Sequence, residues 1–251
     1  MYYGLYTAAA GANALSQKVE IISNNLANVD TVGFKRELAL LESRESEAIE
    51  RGLDMRGSGS RNDLGGGVDL AATATEFRLG TFKPTGIPTD MALELPNVFF
   101  MVQRGEQQLL TRAGNFQMNH EGQLQTGDGD PVLSNDGAPI QLDPRLPWEL
   151  LGGGRIRQAG DIREIGLRRP QDLRDLQKVG HNYFQNTTDR WDVVPPEDRR
   201  VRSGFQEVSG VNSLQEMTEM IATSRAYETN IRMMQTHDQI TGSLIQRLLR
   251  A

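Results

Sequence analysis

"IISNNLANVDTVGFKRE", residues 21–37, carries an amphipathic helix into three amides, Asn24, Asn25 and Asn28, and then to a glycine, Gly33, and an aromatic, Phe34. Upstream of the amides, Leu5, Ala8, Ala12, Leu15, Val19, Ile22, Leu26 and Val29 alternate steps of three and four. That spacing lines one side of a coiled coil. Asn24 and Asn25 fall on the flank of the helix. Asn28 and Gly33 fall where the chain must turn, and both residue types tolerate left-handed backbone. An amide donates and accepts hydrogen bonds at once. A helix end facing water does as well with Lys or Glu, so an end built from amides is suited to meeting other protein.

The far end of the chain repeats the pattern. Met217, Met220, Ser224, Tyr227, Ile231, Met234, Asp238, Thr241, Ile245 and Leu248 keep the same alternation, interrupted by Ser224, Asp238 and Thr241 and widened by Ile221, Ile240 and Leu244. "SLQE", Ser213–Glu216, reads as a capping box in which hydroxyl and carboxylate each satisfy a first-turn donor. At ~1.5 Å per residue this helix spans about 55 Å to Arg250, and the first about 40 Å. The expected fold is α+β: long N- and C-terminal helices pairing as a coiled coil, with an antiparallel β-rich middle domain.

The middle has a different texture. Residues 52–67, "GLDMRGSGSRNDLGGG", read as a flexible loop, and the charged run "ESRESEAIER" before them as a solvated helix face. From about residue 90, short apolar runs alternate with turns: "VFFMVQ" then "RGEQQ", "LLTRAGNFQMN" then "HEG", "QLQTGDGDPVL" then "SNDG". Such punctuation marks antiparallel strands and hairpins. "PQDLRDLQKVG" holds room for a short helix. The expected division is a terminal helical domain of residues 1–34 and 205–251, an extended connecting region of 35–89, and a β-rich outer domain of 90–204.

Composition narrows the function. The 251 residues carry a formal net charge of −6 and no run of Lys and Arg, which argues against a nucleic-acid partner. There are no cysteines, so disulfides and thiolate sites are absent. No stretch approaches the roughly 20 apolar residues of a membrane span. The start, "MYYGLYTAAAGANAL", has no basic residue before Lys18 and spaces its apolar residues as a stripe, so a cleaved signal peptide is not expected.

A helix with an apolar stripe must bury it. Residues 1–17 have no charged side chain, and Ala8, Ala9, Ala10, Gly11, Ala12, Ala14 and Ser16 surround the stripe with small groups that permit close approach on several sides. The two ends could cover each other within one chain, or remain loose and order when subunits meet. The reading is a structural subunit. Its expected assembly residues at the N-terminal end are Leu5, Ala8, Ala12, Leu15, Val19, Ile22, Asn24, Asn25, Leu26, Asn28, Gly33 and Phe34. At the C-terminal end they are Ser213, Glu216, Met217, Met220, Ile221, Arg225, Tyr227, Ile231, Met234, Ile245 and Leu248.

Three blocks resemble the rod and hook proteins of the bacterial flagellum: "ALSQKVEIISNNLANVDTVGFKR" (14–36), "PTDMAL" with "FFMVQ" and "LTRAGNFQMNHEGQLQTGDGDPVL" (110–133), and "GFQEVSGVNSLQEMTEMIATSRAYETNIRMMQTHD" (204–238). The resemblance implies terminal helices lining a hollow axial tube, a β domain outside it, self and other rod or hook subunits as partners, and export by the flagellar type III apparatus to the periplasmic rod. It leans to a proximal-rod type, with distal-rod or hook-type subunits as the alternative. "ELPNV" stands where the family commonly has Gly-Asp-Gly before the phenylalanine pair, and "SGVN" replaces a more usual Ser-Asn-Val-Asn. Nothing is carried over onto the Arg-rich stretch 145–200.

The pattern carries no catalytic or metal-binding signature. His120, His181 and His237 stand far apart without metal-ligand spacing. Asp128, Asp130 and Asp136 lack a calcium loop's twelve-residue frame and closing Glu. The glycines of 52–67 lack the strand-then-helix setting of a phosphate cradle, and no Ser-His-Asp arrangement is present. No cofactor or metal is expected. Two remote alternatives stay open: a glycan-acting enzyme, needing two carboxyls roughly 5–10 Å apart across a cleft, and a self-contained binding module whose helices simply pair.

Overall fold

The computed structural model describes residues 3–60, 65–188 and 190–249; residues 61–64 of the glycine-rich loop and the last residues of the expected C-terminal helix lie outside them. The chain divides into two compact units, one of residues 1–27, 37–75 and 212–251, the other of residues 28–36 and 76–211.

The first unit is built from helix α1 (Tyr3–Ala27), strand β1 (Glu37–Arg44), the single turn α2 (Glu47–Glu50), strand β2 (Gly67–Thr75) and helix α3 (Ser213–Leu248). β1 and β2 pair antiparallel from Glu37 opposite Thr75 to Arg44 opposite Gly67, with a bulge between Leu40 and Leu41. β2 lies along α1, where an added Cβ on Gly67 would stand 3.0 Å from that of Ala10. Within the charged run, residues 42–44 belong to β1 and the helix is confined to α2.

α1 and α3 run antiparallel side by side, but not as a coiled coil, and that part of the expected fold is corrected here. The line along which they meet carries Gly4, Gly11, Lys18 and Asn25 on α1 against His237, Asn230, Glu219 and Glu216 on α3. Small and polar groups therefore stand at those positions, where a coiled coil would carry apolar knobs, while Met220, Ile231 and Met234 are half-buried. On α3 the buried residues are Glu216 and Thr223, one position before the expected Met217 and Ser224. Met217, Ile221, Ile245 and Leu248 are exposed instead. The rotation has a local cause. Small and hydrogen-bonding groups let the two backbones approach closely, whereas Met and Ile there would hold them apart. The α+β class itself stands.

α3 is capped by Asn212, not by Ser213. The Asn212 side chain accepts a hydrogen bond from the Gln215 amide at 3.2 Å, the N-cap role. Glu216, the expected partner in the capping box, is buried.

The second unit is the β-rich middle. Its strands are β3 (Phe82–Pro84), β4 (Met91–Leu93), β5 (Phe99–Arg104), β6 (Gln107–Thr111), β7 (Gln117–Met118), β8 (Leu124–Gln125), β9 (Trp148–Leu151), β10 (Arg155–Gln158), β11 (Asp161–Glu164), β12 (Leu167–Pro170), β13 (Leu176–Lys178), β14 (Tyr183–Asn186), β15 (Trp191–Val193), β16 (Val201–Ser203) and β17 (Phe205–Glu207). The principal sheet has the order β13-β14-β6-β5-β12-β15, antiparallel throughout. β5 shows the strand period of two at work: Phe100 points into the main core with Val102 and Phe116, while Phe99 joins Leu110 and Phe184 on the opposite face. "PQDLRDLQKVG" supplies a single 3₁₀ turn, Leu173–Asp175, and then β13.

Candidate assembly surface

In the first unit the expected residues separate into two groups. Ala8, Ala12, Ile22 and Asn25 are buried, and Leu5, Leu15, Val19 and Leu26 half-buried, so α1 is largely covered. Met220, Ile231 and Met234 on α3 are half-buried and Ser213 partly so, whereas Met217, Ile221, Tyr227, Ile245 and Leu248 are exposed, as is Arg225. Leu214, Met233, Ile240, Leu244 and Leu249 are exposed as well. α3 is 36 residues long against 25 for α1. With Gly4 already opposite His237, its last three turns run past the start of α1. Ile240, at 50% exposure, and Leu248, at 77%, lie on that overhang. So many exposed large apolar side chains on one helix of ~54 Å exceed the singly scattered ones of an ordinary surface.

The amides now have places. Asn25 Nδ2 donates to the Glu37 carbonyl at 2.8 Å while its Oδ1 accepts from the Glu37 amide at 2.9 Å, so one side chain continues the backbone ladder at the start of β1. Its Nδ2 also lies 3.4 Å from Glu216 Oε2. Only an amide meets all three demands. Asn25→Asp is expected to weaken the first unit by roughly 2 kcal/mol, since it loses a donor and sets a second carboxylate beside Glu216; helical circular dichroism during urea unfolding measures it. Asn28 Oδ1 accepts from Thr31 Oγ1 at 3.1 Å in the turn after α1, and Asn24 is exposed.

In the second unit, Gly33 and Phe34 are buried, and neither presents a free surface. The segment from Val32 to Lys35 is held like an inserted strap. Gly33 N donates to Glu207 O at 2.7 Å, Gly210 N to Phe34 O at 2.9 Å and Asn182 Nδ2 to Val32 O at 2.8 Å. Lys178 Nζ stands 3.7 Å over the Phe34 ring. Gly33 has φ +67°, and an added Cβ would lie 2.5 Å from the Arg112 carbonyl. Gly33→Ala therefore combines left-handed strain with a backbone clash and should cost about 2–4 kcal/mol. Both tryptophans, Trp148 and Trp191, belong to this unit, so their fluorescence during urea unfolding reads it directly.

The same strap brings together three charges that the sequence reading passed over. Glu207, Lys35 and Arg112 are each no more than 1% exposed. Lys35 Nζ donates to Glu207 Oε1 at 2.5 Å and to the Arg78 carbonyl at 2.7 Å. Arg112 Nε and Nη2 donate to Glu207 Oε2 at 3.0 and 2.7 Å, and its remaining protons reach the carbonyls of Leu93, Leu95 and Val98. The Gly80 amide completes the shell at Glu207 Oε1, 2.9 Å away. Burial pulls the Lys35 ammonium below its ordinary value against the opposing pull of Glu207, with the Arg112 guanidinium adding to the downward side. Burial does the same to Arg112, again opposed by Glu207. Each charge sits inside a block already singled out, "GFKR", "LTRAG" and "GFQE". An isolated charge within an apolar motif was the available signal.

Among the described residues no cluster of three or more His, Asp or Glu side chains could hold a metal, and no helix is long and apolar enough to cross a membrane. An α+β chain whose longest helix leaves this many apolar side chains exposed has the surface of a subunit that meets other protein. Comparison with known proteins gives the system. Residues 5–35 match the family described as flagella basal body rod protein, residues 97–163 the D1 domain of the flagellar hook protein FlgE/F/G family, and residues 202–247 the C-terminal region of the flagellar basal body rod FlgEFG proteins. The chain is 34% identical over 246 residues to the flagellar basal-body rod protein FlgF of Caulobacter vibrioides, covering 97% of each. It is 30% identical to FlgF of Mesorhizobium japonicum, over 99% of this chain and 98% of the relative, and 28% identical to the rod protein FlgG of Bacillus subtilis, over 98% of each. The chain belongs to the flagellar basal-body rod protein family. It is a structural rod subunit of the flagellar basal body and not an enzyme, which sets aside the glycan-acting alternative.

Proposed function

We propose that this protein is a proximal-rod-type subunit that assembles through its terminal helices into a hollow axial tube, transmitting torque and conducting exported subunits. The observation that carries the reading is the run of exposed apolar side chains of α3, from Leu214 to Leu249, which a single chain leaves in water. Copies of itself and other rod and hook subunits supply the cover. The site is the residues named above on α1 and α3, with residues 1–34 and 205–251 inward, 90–204 outward and 35–89 connecting them. Export runs through the flagellar type III apparatus to the periplasmic rod. The formal charge of −6 supports the absence of a nucleic-acid partner. The second reading is a distal-rod or hook-type subunit of the same family, which whole-length similarity to another basal-body rod protein, FlgG, supports equally.

The test is fractionation of cells carrying an epitope-tagged full-length copy. The tagged chain is expected in purified hook–basal bodies, and deletion of the native copy should abolish motility. A chain that stays in the cytosol of cells that swim without it contradicts the proposal.

A further inference from the structure

The contact line between α1 and α3 repeats every seven residues on α1, at Gly4, Gly11, Lys18 and Asn25, and on α3 Glu216, Thr223, Asn230 and His237 recur at the same interval. Its partners are all small or polar. An added Cβ on Gly4 would meet His237 Nε2 at 2.9 Å, and one on Gly11 would meet the Asn230 amide at 3.5 Å. Lys18 Nζ pairs with Glu219 Oε1 at 2.9 Å, and Asn25 Nδ2 lies 3.4 Å from Glu216 Oε2.

An apolar stripe of seven-residue period is indifferent to a slip of one repeat, because each apolar residue meets an equivalent one in the slipped register. Polar groups at the contact line remove that indifference, since a slip sets each of them against a different group. Buried polar residues setting register at a cost in stability are the best-attested use of such groups. Here a slip of seven in one direction sets Gly11 opposite His237 and carries Lys18 away from Glu219 and Asn25 away from Glu216. A slip of seven in the other direction carries Asn25 past the start of α3. Glycine serves the same end sterically: Gly4 leaves room for the His237 imidazole, which an alanine methyl would take.

We infer that the α1–α3 contact line is a register key: Gly4–His237, Gly11–Asn230, Lys18–Glu219 and Asn25–Glu216 hold the two helices of one chain in a single axial alignment. They do so while contributing little to the strength of pairing. The consequence is geometric. The key fixes how far α3 runs past the start of α1, and so which apolar residues stand on the overhang. This concerns a single chain and holds whether the subunit sits in the proximal or the distal rod.

The absence of cysteine makes the test clean, because introduced pairs meet no native thiol. In the full-length chain, Gly11→Cys with Asn230→Cys samples the observed register, while Gly11→Cys with Thr223→Cys or with His237→Cys samples slips of seven in either direction. Disulfides form only where Cβ atoms come within about 3.5–4.5 Å. Under mild oxidation at high dilution the in-register pair should form intramolecular disulfide on the order of tenfold more readily than either slipped pair. Repeating the in-register pair and the Thr223→Cys pair with Lys18, Glu216 and Glu219 changed to Ala should erase most of that preference. Helical circular dichroism on each variant confirms that the helices persist, and Gly4→Ala alone, with helices intact, should lower in-register yield. Equal yields from all three pairs in the otherwise native chain, or an undiminished preference after the alanine changes with helices intact, would overturn the inference.

Discussion

Glu207→Gln is expected to weaken the β unit by about 3–5 kcal/mol, the usual cost of removing one partner from a buried charge pair. The reason is the arithmetic of charge. Two cations, Lys35 and Arg112, share one carboxylate within 3.0 Å, all three buried. Removing the carboxylate charge leaves two like charges facing each other without solvent. Lys35→Met, by contrast, leaves Arg112 and Glu207 as a balanced pair with the guanidinium still bound to three carbonyls, and should cost only about 1 kcal/mol. The double variant should be less damaged than Glu207→Gln alone. Urea unfolding followed by tryptophan fluorescence separates the three. Equal losses from Glu207→Gln and Lys35→Met would mean the trio acts by packing alone.

Replacing Ile221, Ile240, Ile245 and Leu248 together by Gln is expected to abolish motility and incorporation into basal bodies while leaving the isolated chain as stable as before, within about 0.5 kcal/mol. Gln is nearly as good a helix former as the residues it replaces, so α3 should persist. All four side chains are at least half exposed in the single chain, so little internal packing is lost. Between subunits, full burial of each would contribute about 1.5–3 kcal/mol, so the loss at every subunit contact amounts to many powers of ten in assembly. Both arms are needed. A destabilised monomer would place these residues in the chain's own core, and normal motility would free them of any role.

Much of this was legible in the residues themselves. Both terminal helices follow from the three-four alternation, and hairpins such as β5–β6 from turn residues at short spacing; Gly105 there has φ +60°. Three features were hidden for physical reasons. The sequence could not say which face of α3 turns inward, because the rule that an apolar stripe is buried says nothing about whether one's own chain or another supplies the cover. "ELALLESR" has the composition of a helix, yet forms β1 because β2 offers it a partner and Asn25 extends its ladder. Lys35, Arg112 and Glu207 lie 77 and 95 residues apart along the chain, and nothing local to any of them announces the others.

The central claim is that the exposed apolar side chains of α3 are covered by neighbouring subunits in the rod. Ile245→Cys in this cysteine-free chain tests it most directly, by comparing maleimide labelling of the purified monomer with that of intact hook–basal bodies. Ile245 is 51% exposed in the single chain, so the monomer should label readily. In basal bodies the thiol should be protected and become reactive only after the rod is dissociated. Labelling as fast in the intact basal body as in the monomer would contradict the account.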